Sequence, residues 1–294
     1  MRPSRYILVC FVAMGLVRAG PMQAAEACHP QQVPAPRHGD RALVDITIDG
    51  HSAHMVLDTG AAQPILLSDA PGRLGLSIAR DHAPEQRMSY GKPFDVRFAS
   101  ARQIVFAGLV RDVTDLPVAS GSATEDGVDG FFSDVSLHRA DFDLADDRVD
   151  LYCDGAPAWT LGADTVNVPL EDGPRPIGEA FVNGQKVRVL FDTGSPISSM
   201  TLAAAKRTGV SVADAPDGTT AGIGNTPLRA WRTRVAEIGL GGRVAHDVAL
   251  QVVDKPNASV DMIAGFDFFL SHRVWIDQDA RRLVVQAADG ASPF

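Results

Sequence analysis

Hydrophobic and polar residues alternate along most of this chain, which is the pattern of β-strands with one buried face. Two alternating segments have the same layout. Residues 43–48 lead into Asp49-Gly50, and residues 178–182 lead into Asn183-Gly184. Asp-Gly and Asn-Gly favour two-residue hairpin turns, so the pattern predicts two similar β-hairpins. A single helix is clearly indicated, at residues 201–208, and we expect the rest to be mostly strand.

The two halves of the chain repeat one another at an offset of 134 residues. The matching pairs are Gly50 with Gly184, Arg73 with Arg207, Gly75 with Gly209, Ser77 with Ser211, Ala79 with Ala213, His138-Arg139 with His272-Arg273, Asp143 with Asp277 and Arg148 with Arg282. A repeat of this length predicts two copies of one lobe. We expect the first lobe at residues 26–153, a Gly- and Pro-containing linker at 154–165, and the second lobe at 166–294.

Two features outside the repeated turns are interpreted as structural. Trp159, in the linker, is expected to pack between the lobes. An acidic group is expected to form a solvated turn, because it lacks the Gly and the closing Glu of a calcium loop. Its members are Asp141, Asp143, Asp146 and Asp147.

The first 25 residues have the features of a secretory signal peptide. Arg2 and Arg5 precede an apolar stretch at 6–16, and small residues follow at Ala24 and Ala25. The apolar stretch is shorter than the roughly 20 residues that span a bilayer, so we expect no stable membrane insertion after cleavage. Cleavage would remove three arginines and no acidic residue, which takes the formal net charge from -9 to -12. A charge of this sign argues against nucleic acid as a partner.

Export also bears on the cysteines. Cleavage would leave Cys28 and Cys153, one at each end of the first lobe. An oxidising compartment permits a disulfide between them, while two free thiols, or a lipidated Cys28, are the alternatives.

The sequence Asp-Thr-Gly occurs twice, after the apolar run of each predicted hairpin. The two copies are Asp58-Thr59-Gly60 and Asp192-Thr193-Gly194. One copy alone indicates a turn. Two copies at equivalent positions of two lobes are expected to face each other across a pseudo-twofold axis. Two carboxylates held that close share a proton, so one of them can act as base and the other as acid toward a water. They would titrate as a pair.

At these residues the chain resembles the aspartic peptidases. Their motif is two hydrophobic residues followed by Asp-Thr-Gly-Ser/Thr/Ala, here V-L-D-T-G-A at 56–61 and L-F-D-T-G-S at 190–195. The resemblance implies an all-β fold in which two retropepsin-like β-barrel lobes of one chain enclose the active site. It implies Asp58 and Asp192 as the catalytic pair. It also implies supporting roles for Thr59, Gly60, Ala61, Thr193, Gly194 and Ser195.

These peptidases have a later hydrophobic-hydrophobic-Gly segment that packs under the catalytic loop. Residues 263–265 (I-A-G) match it in the second half. The first half departs from the pattern and offers two choices, 128–130 (V-D-G) or 131–133 (F-F-S). The resemblance further implies a glycine-bearing flap hairpin. The candidates are Tyr90 and Gly91 in the first half, and Gly222 and Gly224 in the second, which has the higher glycine content.

We therefore predict an exported aspartic endopeptidase, periplasmic or secreted, that cleaves peptide or protein substrates as a monomer. The histidines show no metal-ligand spacing, so neither a metal nor another cofactor is expected. One alternative is a non-catalytic peptide-binding or inhibitory protein on the same scaffold. Another is an actin-like or sugar-kinase phosphate site, which the export signal and the missing hydroxyl at Ala61 oppose.

Overall fold

The computed structural model describes residues 30–80, 83–89, 92–122 and 127–287. The predicted signal peptide lies outside these residues. None of the helices in the described part of the chain is long and apolar enough to cross a membrane.

The fold is almost entirely β, as the alternation predicted. The first half contains β1 (Gln31–Pro34), β2 (Arg37–His38), β3 (Arg41–Ile48), β4 (His51–Leu57), β5 (Ile65–Leu66), β6 (Glu85–Ser89), β7 (Lys92–Ser100), β8 (Gln103–Phe106), β9 (Leu109–Asp112), β10 (Asp115–Ala119), β11 (Gly130–Phe132), β12 (Arg139–Asp143) and β13 (Arg148–Leu151). The second half contains β14 (Thr165–Pro169), β15 (Ile177–Val182), β16 (Gln185–Phe191), β17 (Ser199–Thr201), β18 (Gly218–Thr220), β19 (Leu228–Leu240), β20 (Arg243–Val253), β21 (Met262–Ala264), β22 (His272–Asp277) and β23 (Arg282–Ala287). The helices are α1 (Ala70–Arg73), α2 (Leu202–Arg207) and α3 (Phe266–Ser271).

Both predicted hairpins and the predicted helix are present. Strand β3 pairs with β4, and β15 pairs with β16. In both turns the two central residues have positive φ, which is the turn geometry that Asp-Gly and Asn-Gly favour. Helix α2 begins where the Thr201 hydroxyl accepts the N–H of Ala204 at 3.0 Å, and it ends before Gly209, whose φ is 71°.

Each lobe is a curled antiparallel sheet with two parallel pairings near its centre. In the second lobe the strands run in the order β15-β16-β21-β17-β20-β19-β18, and β15 also pairs with β19, which closes the barrel. The first lobe follows the same path, β3-β4-β11-β5-β10-β7, and closes through β8 on β3. Strands β4 and β16 have the same burial pattern, ending in three buried residues each. The chain therefore has two retropepsin-like lobes related by a pseudo-twofold axis.

A third sheet joins the lobes. Its order is β1-β13-β12-β22-β23-β14, so three strands of the first half continue without a break into three strands of the second half. At its centre β12 and β22 run antiparallel, and Asp141 faces Trp275. These two positions are also related by the 134-residue offset. The pseudo-twofold axis therefore passes between Asp141 and Trp275.

Ion pairs across this axis explain several of the repeated residues. Arg139 lies 3.6 Å from Asp277, and the equivalent Arg273 lies 3.8 Å from Asp143. Arg273 also donates two hydrogen bonds to Asp141, at 3.0 and 2.7 Å.

Three side chains in or beside this sheet contradict or refine the sequence interpretation. Asp141 is fully buried, and the Asp143 side chain is only 13% exposed, so the prediction of a solvated turn is wrong for both. Each carboxylate has an arginine partner, which offsets the loss of solvent. Trp159 donates its indole N–H to Asp141 at 2.9 Å, and the Arg273 guanidinium lies over its ring.

Cys153 is disulfide-bonded. Its predicted partner, Cys28, lies outside the described residues. The pairing of β1 with β13 places Gln31 opposite Leu151, so the chain that follows Cys28 runs beside the strand that leads to Cys153.

We expect Arg273→Met to destabilise the protein by about 3 kcal/mol, because it leaves the buried carboxylate of Asp141 without its charged partner. Urea denaturation measures the change. Arg234→Met is the matched control: its ion pair with Asp247 is exposed and screened by solvent, so its loss should leave the stability almost unchanged. Equal costs for the two variants would show that the Arg273 pair does not hold the lobes together.

Candidate active site

The two Asp-Thr-Gly loops begin where the second strand of each hairpin ends. Strand β4 ends at Leu57 and β16 ends at Phe191, so an aspartate follows each directly. The Asp58 N–H donates to the carbonyl of Phe132 at 2.9 Å, and the Asp192 N–H donates to that of Ala264 at 2.8 Å. A parallel neighbouring strand thus fixes the start of each loop.

These bonds identify the first-lobe counterpart of the I-A-G segment. Phe132 faces Leu57 as Ala264 faces Phe191, so the equivalent residues are 131–133, F-F-S. A Cβ at Gly265 would lie within 3.0 Å of the backbone of the second loop, so this position requires glycine. In the first lobe Ser133 instead donates its hydroxyl to the Ala61 carbonyl at 2.8 Å.

The second loop has an equivalent bond from the backbone. There, the Phe266 N–H donates to the Ser195 carbonyl at 2.7 Å. Ala61 and Ser195 are equivalent positions, so both loops have this carbonyl bonded by the segment beneath them. The irregular first-lobe motif therefore still supports its loop.

Reciprocal hydrogen bonds lock the two loops together. The backbone N–H of Thr59 donates to the hydroxyl of Thr193, and that of Thr193 donates to the hydroxyl of Thr59, both at 3.1 Å. Each hydroxyl also donates across the lobe boundary, Thr59 to the Phe191 carbonyl at 2.8 Å and Thr193 to the Leu57 carbonyl at 2.7 Å. Both threonines are buried, so water does not compete for these bonds.

These hydrogen bonds between the loops place the two aspartate side chains in hydrogen-bond contact. A Cβ at Gly60 would lie within 3.0 Å of the Asp192 carboxylate, and one at Gly194 would lie equally close to that of Asp58. Only glycine leaves room for the carboxyls to approach. The N–H groups of Gly60 and Ala61 each donate to Asp58 at 2.9 Å, and that of Gly194 donates to Asp192 at 3.0 Å.

The surroundings make it costly to ionise both carboxyls. Burial raises the pKa of Asp58 well above its ordinary value, and the neighbouring charge of Asp192 raises it further. Burial also raises the pKa of Asp192, but the hydrogen bond from Asp58, the loop N–H groups and the positive charge of Lys255 oppose the rise. These contacts favour a singly protonated pair.

Lys255 is a nearby residue that the sequence interpretation missed. It is only 8% exposed and donates to the Ser199 hydroxyl at 3.1 Å. Burial lowers its pKa to about 7, against the attraction of Asp192. A lysine between Asp254 and Pro256 looks like a surface residue in the sequence, and no motif marks it.

The aspartates lie in a cleft of about 1010 Å³ lined by both lobes. Its walls include Leu67 and Phe131 from the first lobe, and Ser199 and Lys255 from the second. Arg41 and Arg175, which the 134-residue offset also relates, line it too.

Two hairpins border this cleft. In the first lobe Ser89 pairs with Lys92 at the end of β6 and β7, and the flap candidates Tyr90 and Gly91 lie outside the described residues. In the second lobe the loop between β18 and β19 carries Gly222 and Gly224. A Cβ at Gly224 would lie 2.6 Å from the Cβ of Phe94, in the other lobe.

Ile223, between these two glycines, also crosses to the first lobe. It packs there against the apolar groups that contain Ile65 and Leu67. The second-lobe loop therefore spans the cleft, and its contact with Phe94 accounts for the glycine at 224.

Two comparisons bear on this arrangement. The model of the family "gag-polyprotein putative aspartyl protease" matches residues 179–271. The solved structure of an aspartic proteinase from Irpex lacteus superposes with a TM-score of 0.55 at 15% identity, covering 88% of this chain and 98% of that one. No curated protein sequence matches the chain.

Over most of its second lobe the chain is similar to the retropepsin-like aspartyl proteases. The family model covers much of the second lobe, and the structural match, which at this identity shows the fold alone, covers both lobes. The family match and the fold together support a protease function.

We expect Thr193→Val to destabilise the protease by about 3 kcal/mol, because it leaves the Thr59 N–H and the Leu57 carbonyl buried without partners. Thr193→Ser keeps both bonds and should cost less. Chemical denaturation measures both. Thr233→Val, which removes an exposed hydroxyl bonded to Ser211, is the control and should cost at most about 1 kcal/mol. If Thr193→Val destabilised the protein no more than this control, the hydrogen bonds of Thr193 across the lobe boundary would be unimportant for stability.

We also expect Asp58→Asn to stabilise the fold more at pH 8 than at pH 4. A carboxyl with a raised pKa contributes stability below its unfolded pKa, and this contribution is lost as pH rises through its folded pKa. The amide does not ionise, so its advantage should grow with pH, to about 1 kcal/mol or more. Unfolding free energies at the two pH values measure it. An equal change at both would contradict a strained carboxyl pair.

Proposed function

We propose that this protease is an aspartic endopeptidase that hydrolyses peptide bonds with a water activated between Asp58 and Asp192. The observation that carries the proposal is the contact of two carboxyls, one from each lobe, in a cleft large enough for an extended peptide. The reciprocal threonine hydrogen bonds and the glycines at positions 60 and 194 support it, because together they allow two mutually repelling carboxyls to stay in contact.

In this mechanism Asp192 is the ionised member of the pair and Asp58 carries the shared proton. The positive charge of Lys255 favours negative charge on Asp192, and the raised pKa of Asp58 favours its protonated form. Asp192 takes a proton from the water as the water attacks the peptide carbonyl, while Asp58 donates toward the developing oxyanion. The resulting gem-diol collapses as a proton passes to the leaving amine.

Substrate binding in this proposal uses the edges of the strands that border the cleft. An extended peptide adds its backbone to such edges, and pockets on either side receive its side chains. The loop that carries Gly222, Ile223 and Gly224 acts as a flap, and Ser89, at the end of β6, lines the cleft in the first lobe. For the substrate to enter, Ile223 must leave its contacts with the first lobe, so opening of this loop precedes binding.

We further propose that the enzyme is exported and works as a single chain. The disulfide at Cys153 supports an oxidising compartment, in the periplasm or outside the cell. Both aspartates come from one chain, so a second copy has no residue to add to the pair.

The test is cleavage of an unbiased peptide mixture, followed by mass spectrometry from acidic to neutral pH. We expect the wild type, without its first 25 residues, to cleave over a bell-shaped pH range, because both the doubly protonated and the doubly ionised pair are inactive. Asp58→Asn and Asp192→Asn should each lower kcat/KM by about a thousandfold or more, because each removes one member of the acid–base pair.

Asp214→Asn is the control, since Asp214 is an exposed carboxyl outside the cleft. It should cleave like the wild type. If neither the wild type nor the Asp192→Asn variant cleaved, and both bound peptides equally, the chain would be a binding protein on a protease scaffold. Equal cleavage by the wild type and both active-site variants would place the activity elsewhere.

A further inference from the structure

The pseudo-twofold axis relates two pockets, one on each side of the aspartate pair. The first-lobe pocket contains Ile65 and Leu67, from β5 and the residue after it. The 134-residue offset relates these positions to Ser199 and Thr201, at the two ends of β17. All four residues line the cleft. The two pockets therefore share a backbone and differ in chemistry.

The first-lobe pocket is apolar. Ile65 belongs to a buried group with Phe94, and Leu67 belongs to another with Val128. Phe131 packs against both groups. A substrate side chain that enters this pocket would contact the hydrocarbon side chains of these residues.

The second-lobe pocket is polar and contains a cation. Two hydroxyl-bearing residues replace the two aliphatic ones, and Lys255 donates to one of them, Ser199. The Thr201 hydroxyl accepts the N–H of Ala204 to cap helix α2, so it is held in place beside the pocket.

Comparison of the two lobes shows that Lys255 has no counterpart in the first lobe. Val118 pairs with Leu66 in the first lobe as Val252 pairs with Met200 in the second. Three residues further along, the first lobe has Gly121 and the second has Lys255. A cation thus occupies the second pocket at the position where the first pocket has no side chain.

Burying an ammonium group is costly unless it gains a negative partner. Two aspartates line this side of the cleft, Asp192 and Asp261. Asp261 is already bonded to Arg207 at 2.9 Å and to the backbone N–H of Arg188 at 3.0 Å. Asp192 attracts Lys255 but must also take part in the proposed proton transfer. A carboxylate entering from the substrate would add negative charge beside Lys255 without taking part in proton transfer.

We propose that the pocket of Ser199, Thr201 and Lys255 selects an acidic side chain of the substrate, while the pocket of Ile65 and Leu67 selects an apolar one. The proposal rests on the proposed peptidase function. It makes the preferred substrate a peptide with an apolar residue on one side of the cleaved bond and Asp or Glu on the other. The protein as a whole carries a net charge of -9, so a cation at this pocket offsets the repulsion that an acidic side chain would otherwise meet.

The experiment compares peptide pairs that differ only by Glu or Gln, placed in turn at each position within four residues of a mapped cleavage site. The wild type should prefer Glu at one position on one side of that site by about tenfold or more in kcat/KM, the value of one charge-assisted hydrogen bond. Lys255→Met should remove the preference at that position, and Lys255→Arg should keep part of it.

Ser199→Ala is the second variant, because it keeps the cation and removes only the hydroxyl that Lys255 contacts. It should retain the Glu preference. No Glu preference at any position in the wild type would overturn the proposal. So would a loss in Lys255→Met that is equal for the Glu and Gln peptides, because Lys255 would then act only on Asp192.

A binding measurement separates this proposal from the peptidase function. Asp58→Asn leaves the charge of Asp192 facing Lys255, and fluorescence anisotropy with labelled Glu and Gln peptides reports its selectivity. A Glu preference that disappears in Asp58→Asn/Lys255→Met would support the pocket even if the wild type cleaved nothing. Equal binding of Glu and Gln peptides by Asp58→Asn would overturn the pocket even if the wild type were an active peptidase.

Discussion

Hydrogen bonds between the two Asp-Thr-Gly loops hold two mutually repelling carboxyls in contact, and the rest of the site depends on this constraint. Each threonine donates from its backbone N–H and from its hydroxyl into the other lobe, so the loops cannot separate without breaking four buried hydrogen bonds. Positions 60 and 194 are glycine, so neither has a Cβ that would collide with the carboxyl of the other lobe.

The sheet that joins the lobes also holds the two aspartate loops in position. The six-stranded sheet crosses the lobe boundary on the side where Asp141 and Trp275 meet on the pseudo-twofold axis. The buried Asp141–Arg273 pair fixes the two central strands in register. Because both the sheet and the threonine bonds lie on the same axis, the lobes are joined at two levels, and the cleft between them keeps its shape.

The two carboxyls occupy equivalent positions of the two lobes. Substitutions that differ between the lobes make the two sides of the cleft chemically different. Ser133 replaces a glycine of the second lobe yet bonds the loop carbonyl above it, so the support under Asp58 is altered without being lost. This removes the main argument for a scaffold that has drifted away from catalysis. Lys255 against Gly121, and Ser199 and Thr201 against Ile65 and Leu67, make the two pockets chemically distinct. A two-chain enzyme built from identical lobes could not differ in this way.

Local chemistry was sufficient to predict much of this protein from its sequence. The Asp-Gly and Asn-Gly turns and the alternation before them determine the two hairpins, because turn geometry and strand periodicity act over a few residues. The repeat of Asp-Thr-Gly at a fixed offset determines that two aspartates are presented in the same way.

Other features depended on contacts between distant residues, which no local pattern encodes. The sequence left the first-lobe support segment open between 128–130 and 131–133, and only the pairing of Phe132 with Leu57 decided it. Asp141 looked like part of a solvated turn, because its partner Arg273 lies in the other half of the chain. Lys255 looked like a surface residue, because its burial beside Asp192 arises only when the barrel closes and brings the end of β20 to the cleft.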